Sequence, residues 1–182
     1  PSSVYKSADA GNNFALLPPN PGGAGSNNLE ISTIDIIYVG YYIIAVGTRD
    51  NDSGQYGGIY LLDESKSATW TDTNLGTYDV CAVAFSPNFP ADHQLVAVVT
   101  DETDTFIATK LGDAGWGATV ANVRLDSVAA ISADIAFPDD YNTDTLFVAI
   151  DSGIGNGDVY RISGSVATEL NINGLSNIDV TS

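Results

Sequence analysis

Apolar residues in this chain cluster in short runs that are rich in Val, Ile, Tyr and Phe, and each run is bounded by Gly, Asn, Asp or Pro. Such punctuated runs are typical of β-strands. No window keeps a helical period, because Pro or Gly interrupts most candidate helices. The pattern therefore predicts an all-β chain, with strands at residues 34–37, 42–46, 58–62, 80–85, 95–99, 105–108, 133–137, 146–150 and 158–162.

Three stretches of the sequence line up at one constant offset. Residues 32–46, 84–98 and 136–150 begin 52 residues apart. The second and third stretches, AFSPNFPADHQLVAV and AFPDDYNTDTLFVAI, are identical at 5 of 15 positions. A period of about 50 residues indicates a repeat architecture built from one supersecondary unit.

Each repeat unit contains three predicted strands and a fourth, less regular segment that carries Trp70, Trp116 or Leu170. Four antiparallel strands in about 50 residues are typical of a β-propeller blade. We therefore expect a single propeller-like segment over residues 1–182, with about three and a half blades, as part of a larger object. The expected units are a partial blade at 1–31, blades at 32–79, 80–130 and 131–175, and the first strand of a next blade at 176–182.

The second strand of each unit is a continuous apolar run, such as residues 43–46 or 147–150. Strands with this pattern are buried on both faces. Ala45, Ala97 and Ala149 occupy the same place in the three copies, and their small side chains would let neighbouring sheets approach closely. The repeat thus accounts for these runs through sheet packing alone.

The composition is 44% hydrophobic and 16% charged, with a net charge of −17, which favours a folded domain. An acidic surface repels phosphate backbones and anionic lipids, so we expect no nucleic-acid partner. The longest apolar stretch, residues 36–47, is too short for a membrane helix and predicts no membrane insertion. The lone Cys81 permits no internal disulfide. Few lysines, no methionine and abundant Asp, Asn, Thr, Ser and Gly resemble exported proteins of the cell surface or the extracellular space. The start at Pro1 without a methionine suggests a processed or truncated product.

The N-terminal segment at residues 4–14 reads VYKSADAGNNF. It resembles the Asp-box, the Ser-x-Asp-x-Gly-x-x-aromatic signature of bacterial-neuraminidase-type (BNR) repeats, with Ser7, Asp9, Gly11 and Phe14 at the matching positions. The resemblance implies a hairpin between the third and fourth strands of a blade. In it, Asp9 would bind turn amides, Gly11 would adopt a positive φ and Phe14 would fill the blade. The segments at 84–98 and 136–150 are also similar to the first-to-second strand passage of BNR repeats.

Neuraminidases with this repeat clamp a carboxylate with three arginines, and this chain has Arg49, Arg124 and Arg161. Arg161 falls on a predicted outer strand, Arg49 in a polar loop and Arg124 in a fourth-strand region. Nothing in the sequence makes the three converge, so they are interpreted as surface cations. Kinship of fold alone gives no catalytic assignment.

The only histidine, His93, lies near Ser86 and Asp92. A nucleophilic triad would need a nucleophile elbow or an oxyanion-forming turn, and neither accompanies these residues. Glycoside hydrolysis requires two carboxyl groups at a set distance across a cleft, one of them with a raised pKa. Paired acids such as Asp139 and Asp140 lie in predicted exposed turns, which provide neither condition. The sequence therefore predicts no catalytic residue.

Calcium is the one cofactor that the sequence leaves open. Residues 50–54, Asp-Asn-Asp-Ser-Gly, alternate oxygen donors before a glycine like the opening of a calcium loop, but they lack the closing acid. Asp151 and Asp158 bracket the corresponding loop of the third repeat. Asp50, Asp52, Asp151 and Asp158 are thus candidate Ca²⁺ ligands.

The favoured hypothesis is a non-catalytic, extracytoplasmic scaffold of BNR-type blades that binds protein partners or itself, in a surface layer or as an accessory subunit. The alternative is a glycan-binding or glycoside-hydrolysing, sialidase-like propeller. A third hypothesis, an assembly factor similar to BNR propellers of photosynthetic complexes, would call for a basic patch that the sequence does not show. Under the alternative, aromatic side chains would stack on sugars, and the candidates are Tyr38, Tyr41, Tyr42, Tyr56 and Trp116.

Overall fold

The computed structural model describes residues 1–66, 68–117, 123–142, 145–153 and 157–170. The expected all-β fold is confirmed, because the strands form four antiparallel sheets of two to four strands. The expected strand at 176–182 lies outside the described residues. Two single helical turns that the sequence did not predict are present, a 3-10 turn at Pro21–Gly23 and an α-helical turn at Phe89–Asp92. In the part of the chain that the structure describes, no helix is both long and apolar enough to span a membrane.

The sheets follow one another along the chain. A two-stranded N-terminal hairpin comes first, with β1 (Tyr5–Lys6) and β2 (Ala15–Leu16). Three four-stranded sheets follow, and in each the strand order is the chain order. Sheet 1 contains β3 (Leu29–Tyr38), β4 (Tyr42–Asp50), β5 (Ile59–Asp63) and β6 (Thr71–Asp72). Sheet 2 contains β7 (Asp79–Phe85), β8 (Gln94–Thr100), β9 (Thr105–Leu111) and β10 (Val123–Asp126). Sheet 3 contains β11 (Ser132–Ala136), β12 (Thr145–Asp151), β13 (Gly157–Ser163) and β14 (Val166–Glu169).

The three sheets pack face to face in sequence order. The first strand of sheet 2, β7, contacts β3 and β4 of sheet 1 and β11 of sheet 3. As a result β8, in the middle layer, is buried along its whole length, as its continuous apolar sequence predicts. The core between sheets 1 and 2 includes Ile43, Ala45, Val83, Phe85, Ala97 and Val99. The core between sheets 2 and 3 includes Cys81, Val96, Val98, Val148, Ile150 and Ile162.

The alanines that the 52-residue offset aligns lie on the second strand of each sheet but do not all point to the same side. Ala45 and Ala97 are fully buried in the same core, where sheets 1 and 2 face each other. Ala149 is partly exposed, while its neighbours Val148 and Ile150 point into sheet 2. Successive side chains of a strand point to opposite faces, so Ala149 points away from sheet 2. Ala45, Ala97 and Ala149 therefore lie on the second strands of their sheets, but Ala97 points to the preceding sheet whereas Ala45 points to the following one.

The strand pairing of sheet 2 contains an irregularity that bears on this difference. Between Val80 and Ala82 the pairing of β7 with β8 shifts register, so that β7 has one residue more than β8 there. A slip of one residue turns every side chain of a strand to the other face, so an offset that aligns letters need not align faces.

Cys81 provides a test of the packing between sheets 2 and 3. Its side chain is buried in that core, and burial raises the pKa of the thiol to about 11. Since the thiolate is the reactive form, about a thousandth of the thiol is ionised at a pH of about 8. We expect alkylation of Cys81 in the native protein to proceed only as fast as the fold opens, and within minutes in denaturant. Mass spectrometry after timed iodoacetamide exposure measures this rate, and equal rates in buffer and denaturant would contradict the packing.

Candidate functional site

The outer side of sheet 1 carries an exposed apolar stripe. Along β3, side chains alternate between partly buried and exposed positions, and the exposed fractions of Ile34, Ile36 and Tyr38 are 54%, 53% and 63%. Tyr42 continues the stripe on β4, opposite Tyr38. We call these four residues the β3 face. Contiguous exposed apolar groups of this kind mark interaction surfaces on soluble proteins.

The β3 face is exposed because the N-terminal hairpin covers only part of sheet 1. Val4 and Leu17 of the hairpin pack on Ile44, Val46 and Leu62, and these contacts form a small third core. Between the hairpin and β3 lies an open cavity of about 620 Å³. Its walls include Tyr5, Leu17, Ile34, Ile36 and Ile44.

Aromatic and charged groups border one end of the β3 face. The Tyr38 and Tyr42 rings lie 5.0 Å apart at 57°. Lys6 Nζ lies 4.8 Å from the centroid of the Tyr42 ring and forms an ion pair of 2.6 Å with Glu64. The lysine therefore joins the hairpin to sheet 1 by two contacts. Tyr38 remains 63% exposed and Tyr42 39% exposed.

The Asp-box segment forms the turn between β1 and β2. Ser7 Oγ accepts a hydrogen bond from Gly11 N at 2.8 Å, and Asp9 Oδ1 accepts one from Asn13 N at 2.8 Å. Gly11 has φ of 87°, a conformation that favours glycine. Hydrogen bonds from the side chain and backbone of Asn13 hold the pKa of the Asp9 carboxyl below its usual range. These contacts are local and stabilise the turn.

Phe14 differs from its expected role. The resemblance implies that this ring fills a blade, but Phe14 is 65% exposed and belongs to none of the cores. The physical reason is that the N-terminal hairpin has only two strands, so no sheet interior is present to receive the ring. Phe14 instead adds to the exposed apolar surface of the hairpin, together with Tyr5 and Leu16.

The candidate calcium ligands are divided between two sheets. Asp50 Oδ1 accepts a hydrogen bond from Asp52 N, and Asp52 Oδ1 accepts one from Asn28 Nδ2, both in sheet 1 and its loops. Asp151 Oδ1 in sheet 3 accepts a hydrogen bond from Gly153 N. Burial, followed by the nearby Glu169, raises the pKa of Asp158. Among the described residues, no group of three or more His, Cys, Asp or Glu is placed to hold a metal ion.

A network of carboxylates joins the loop after β4 to sheet 2. Glu102 accepts hydrogen bonds from Gly54 N at 2.8 Å and from Ser53 Oγ at 3.1 Å. Asp79, 1% exposed, accepts hydrogen bonds from Asp50 N and Gly57 N, both at 2.9 Å. Burial raises the pKa of the Asp79 carboxyl in spite of these two bonds. Each acid has a structural partner, so this network holds loops together.

The residues of the imagined triad are used to shape a loop. Ser86 Oγ donates a hydrogen bond of 2.6 Å to Asp92 Oδ2 and accepts one from Asn88 N. The His93 ring packs edge-on against Phe89, with ring centroids 5.7 Å apart. The hydroxyl therefore faces a carboxylate and not the imidazole, and the arrangement differs from that of an activated nucleophile.

The three arginines lie in different sheets. Arg49 on β4 donates a hydrogen bond of 2.8 Å to Ile131 O at the start of sheet 3. Arg124 on β10 forms an ion pair of 3.2 Å with Asp104. Arg161 is exposed on β13. The three side chains therefore do not assemble a carboxylate clamp of the neuraminidase kind.

Two of the candidate sugar-stacking aromatics, Tyr38 and Tyr42, lie on the β3 face. Tyr41 borders a separate cleft of about 440 Å³ between sheets 1 and 2, with Phe89 and His93. Trp116 packs against the core and donates a hydrogen bond to Thr73 Oγ1, and Tyr56 points to Asp101 O. The structure thus brings only Tyr38 and Tyr42 together.

Tyr38 and Tyr42 were singled out in the sequence, but Ile34 and Ile36 and the exposed face that the four residues share were not, although their signal is present. Residues 31–38 read ISTIDIIY, and Ile34, Ile36 and Tyr38 follow a two-residue alternation. The alternation shows which side chains share a face, but it does not show which face lacks a neighbour. Comparisons with known proteins add no identification, since no family model matches the chain and no curated protein matches it in sequence.

Proposed function

We propose that this chain is a non-catalytic interaction scaffold, built from BNR-type propeller blades, that binds protein partners or itself outside the cytoplasm. The observation that carries this proposal is the β3 face, an exposed apolar stripe on the first full sheet of a packed stack. The chain has a net charge of −17, yet these exposed positions of β3 and β4 carry apolar side chains. Apolar side chains at such positions favour a surface that another chain covers.

The propeller interpretation is supported by sheet order and packing. Each full sheet is a four-stranded meander in chain order, and the first strands β3, β7 and β11 lie next to one another. Blades of a propeller have this arrangement. The acidic, lysine-poor composition is typical of exported proteins. It supports the proposed place of the scaffold in a surface layer or in an accessory subunit.

Sedimentation velocity with matched variants tests the proposal. Ile36→Lys places a charge at the centre of the β3 face, and Val166→Lys places one at a similarly exposed apolar site, 59% exposed, on β14. We expect the wild-type chain and Val166→Lys to associate as concentration rises, and Ile36→Lys to remain monomeric. Because both sites are exposed, each variant should keep the native circular dichroism spectrum.

Association that Ile36→Lys leaves unchanged would contradict the β3 face as the interaction surface. A glycosidase panel on the same preparations separates the scaffold from the hydrolase alternative. A monomer that turns over a sugar substrate would overturn the non-catalytic assignment.

A further inference from the structure

A cleft of about 440 Å³ opens at the border of the core between sheets 1 and 2. Three buried side chains of that core line it, Ile43, Phe85 and Leu95. Three further rings come from the loops that follow β3 and β7, and these are Tyr41, Phe89 and His93. A concave site of this volume, with mainly apolar and aromatic walls, has the size and lining of small-molecule sites in proteins.

Ring packing holds the aromatic side of the cleft in place. The Phe89 ring packs edge-on against Phe85, with centroids 4.8 Å apart at 79°, and against His93 at 5.7 Å. Phe85 belongs to the core between the sheets, so these contacts fix the helical turn Phe89–Asp92 to sheet 2. The ring of a ligand in the cleft would meet Phe89 in the edge-to-face or offset geometry that aromatic pairs favour.

Lys110 supplies a positive charge at the border of the cleft. Its ammonium donates hydrogen bonds of 2.6 Å to Gly112 O and to Ala114 O, both in the turn after β9. An ammonium has three N–H donors, and these two bonds leave the third. The carbonyl oxygens hold the group in position but do not neutralise its charge. In the part of the chain that the structure describes, Lys110 forms no ion pair.

The other charged side chains that line the cleft act on one another. Lys66 forms an ion pair of 3.1 Å with Asp63. Asp63 first, by its hydrogen bond and its charge, and Asp113 to a smaller extent raise the pKa of Lys66. The chain has 23 acidic and six basic side chains, and its other two lysines, Lys6 and Lys66, each pair with a carboxylate. The unmatched charge of Lys110 therefore points to an anionic ligand.

We propose that this cleft binds a small aromatic monocarboxylate, with its ring against Phe89 and its carboxylate on Lys110. The cleft is separate from the β3 face, so this inference goes beyond the proposed scaffold function and does not depend on it. A carboxylate would accept the third hydrogen bond of the ammonium and neutralise its charge. Residues 118–122, which connect Gly117 to β10, contain no acid and do not supply this carboxylate.

One-dimensional NMR on the full chain tests the proposal, because His93 is the only histidine and its imidazole C–H signals report on the cleft. Three probes of one shape are titrated, 3-phenylpropionate, 3-phenylpropanol and 3-phenylpropylamine. We expect saturable shifts for the acid with a Kd on the order of 1 mM, as for a fragment of about 11 non-hydrogen atoms. The alcohol should bind about tenfold more weakly, and the amine more weakly still. The net charge of −17 attracts the amine in general, so a preference for the acid reports the local charge of Lys110.

Matched variants locate the site. Lys110→Gln keeps a hydrogen-bond donor but removes the charge, so it should weaken binding of the acid about tenfold and leave that of the alcohol unchanged. Arg161→Gln makes the same change in net charge at an exposed position of sheet 3 and should bind the acid like the wild type. Phe89→Leu removes a ring and should weaken binding of acid and alcohol alike, by about threefold. Ile36→Lys, on the β3 face, should leave binding unchanged.

Equal binding of the acid and the amine would overturn the assignment of a carboxylate ligand, and so would equal losses in Lys110→Gln and Arg161→Gln. Absence of a saturable His93 shift with all three probes would overturn the site itself, and this includes the case in which residues 171–182 occupy the cleft. Much tighter binding of the peptide acetyl-Ala-Ala-Phe than of 3-phenylpropionate would overturn the assignment to a free small acid. None of these results bears on the β3 face, whose test is self-association.

Discussion

Replacing Gly57 with alanine is expected to lower the free energy of unfolding by about 3–5 kcal/mol. A Cβ at this position would lie 2.0 Å from Thr48 O and 2.8 Å from Arg49 N, both backbone atoms of β4. Rotation of a side chain cannot relieve such a clash, so residues 57–58 must move away from the strand. That movement breaks the hydrogen bonds from Gly57 N to Asp79 and from Thr48 N to Gly58 O.

Gly115→Ala is the matched control for this prediction. Gly115 is exposed and lacks a positive φ, and a Cβ at this position would meet no atom within 4 Å. Its substitution should change stability by less than about 0.5 kcal/mol. Urea unfolding followed by tryptophan fluorescence compares the two variants with the wild type. Equal unfolding midpoints for Gly57→Ala and Gly115→Ala would contradict the close approach of this loop to β4.

Strands and their order were predictable from the sequence, because each strand is a local apolar run bounded by turn residues. The predicted strand at 95–99 and the observed β8, Gln94–Thr100, differ by one residue at each end. The first strand was less accurate, since it was expected at 34–37 and spans Leu29–Tyr38. Residues 29–33, added at its start, are polar or separated by polar residues, so no apolar run indicates them.

The packing between sheets could not be predicted from the sequence pattern. Ala45 and Ala97 occupy the same position in the repeat, and this equivalence does not indicate that both residues lie in the one core between sheets 1 and 2. Faces depend on loop lengths and bulges, and a single residue of slip reverses them. The same limit applies to the β3 face, whose exposure depends on how many strands the preceding unit contributes.

The loop network shows why candidate site residues were only partly predictable. Asp50 and Asp52 were singled out as oxygen donors in a local run, and both use those oxygens within the fold. Their main partners are distant in sequence, since Asp79 binds the amides of Asp50 and Gly57, and Glu102 binds Gly54. Local spacing carries no information on such long-range pairs, and so the central acid of the network, Asp79, was missed.

Asp79→Ala is expected to destabilise the protein by about 2–4 kcal/mol, because it leaves the buried N–H of Asp50 and the partly buried N–H of Gly57 without an acceptor. Asp79→Asn keeps an oxygen in the same place, and both amides bind the single atom Oδ1. The amide variant should therefore retain the loop and should be at least as stable as the wild type at neutral pH, where it avoids the burial of a charge. In the wild type, the positive charge of Arg49 lowers the pKa of Asp79 and so partly offsets the effect of burial, whereas the negative charge of Glu102 raises this pKa further.

The pH dependence of this difference follows from the raised pKa of Asp79. Below the unfolded-state pKa of about 3.9, the carboxyl is protonated in both states and contributes no pH-dependent term. As pH rises from there through the higher folded-state pKa, the unfolded chain releases its proton first, so the wild type loses stability relative to Asp79→Asn. Above the folded-state pKa the difference between the two proteins should level off. Urea unfolding of both proteins at a series of pH values from acid to neutral measures this difference in stability. A difference that is constant with pH would show that burial at the start of β7 does not raise the pKa of Asp79.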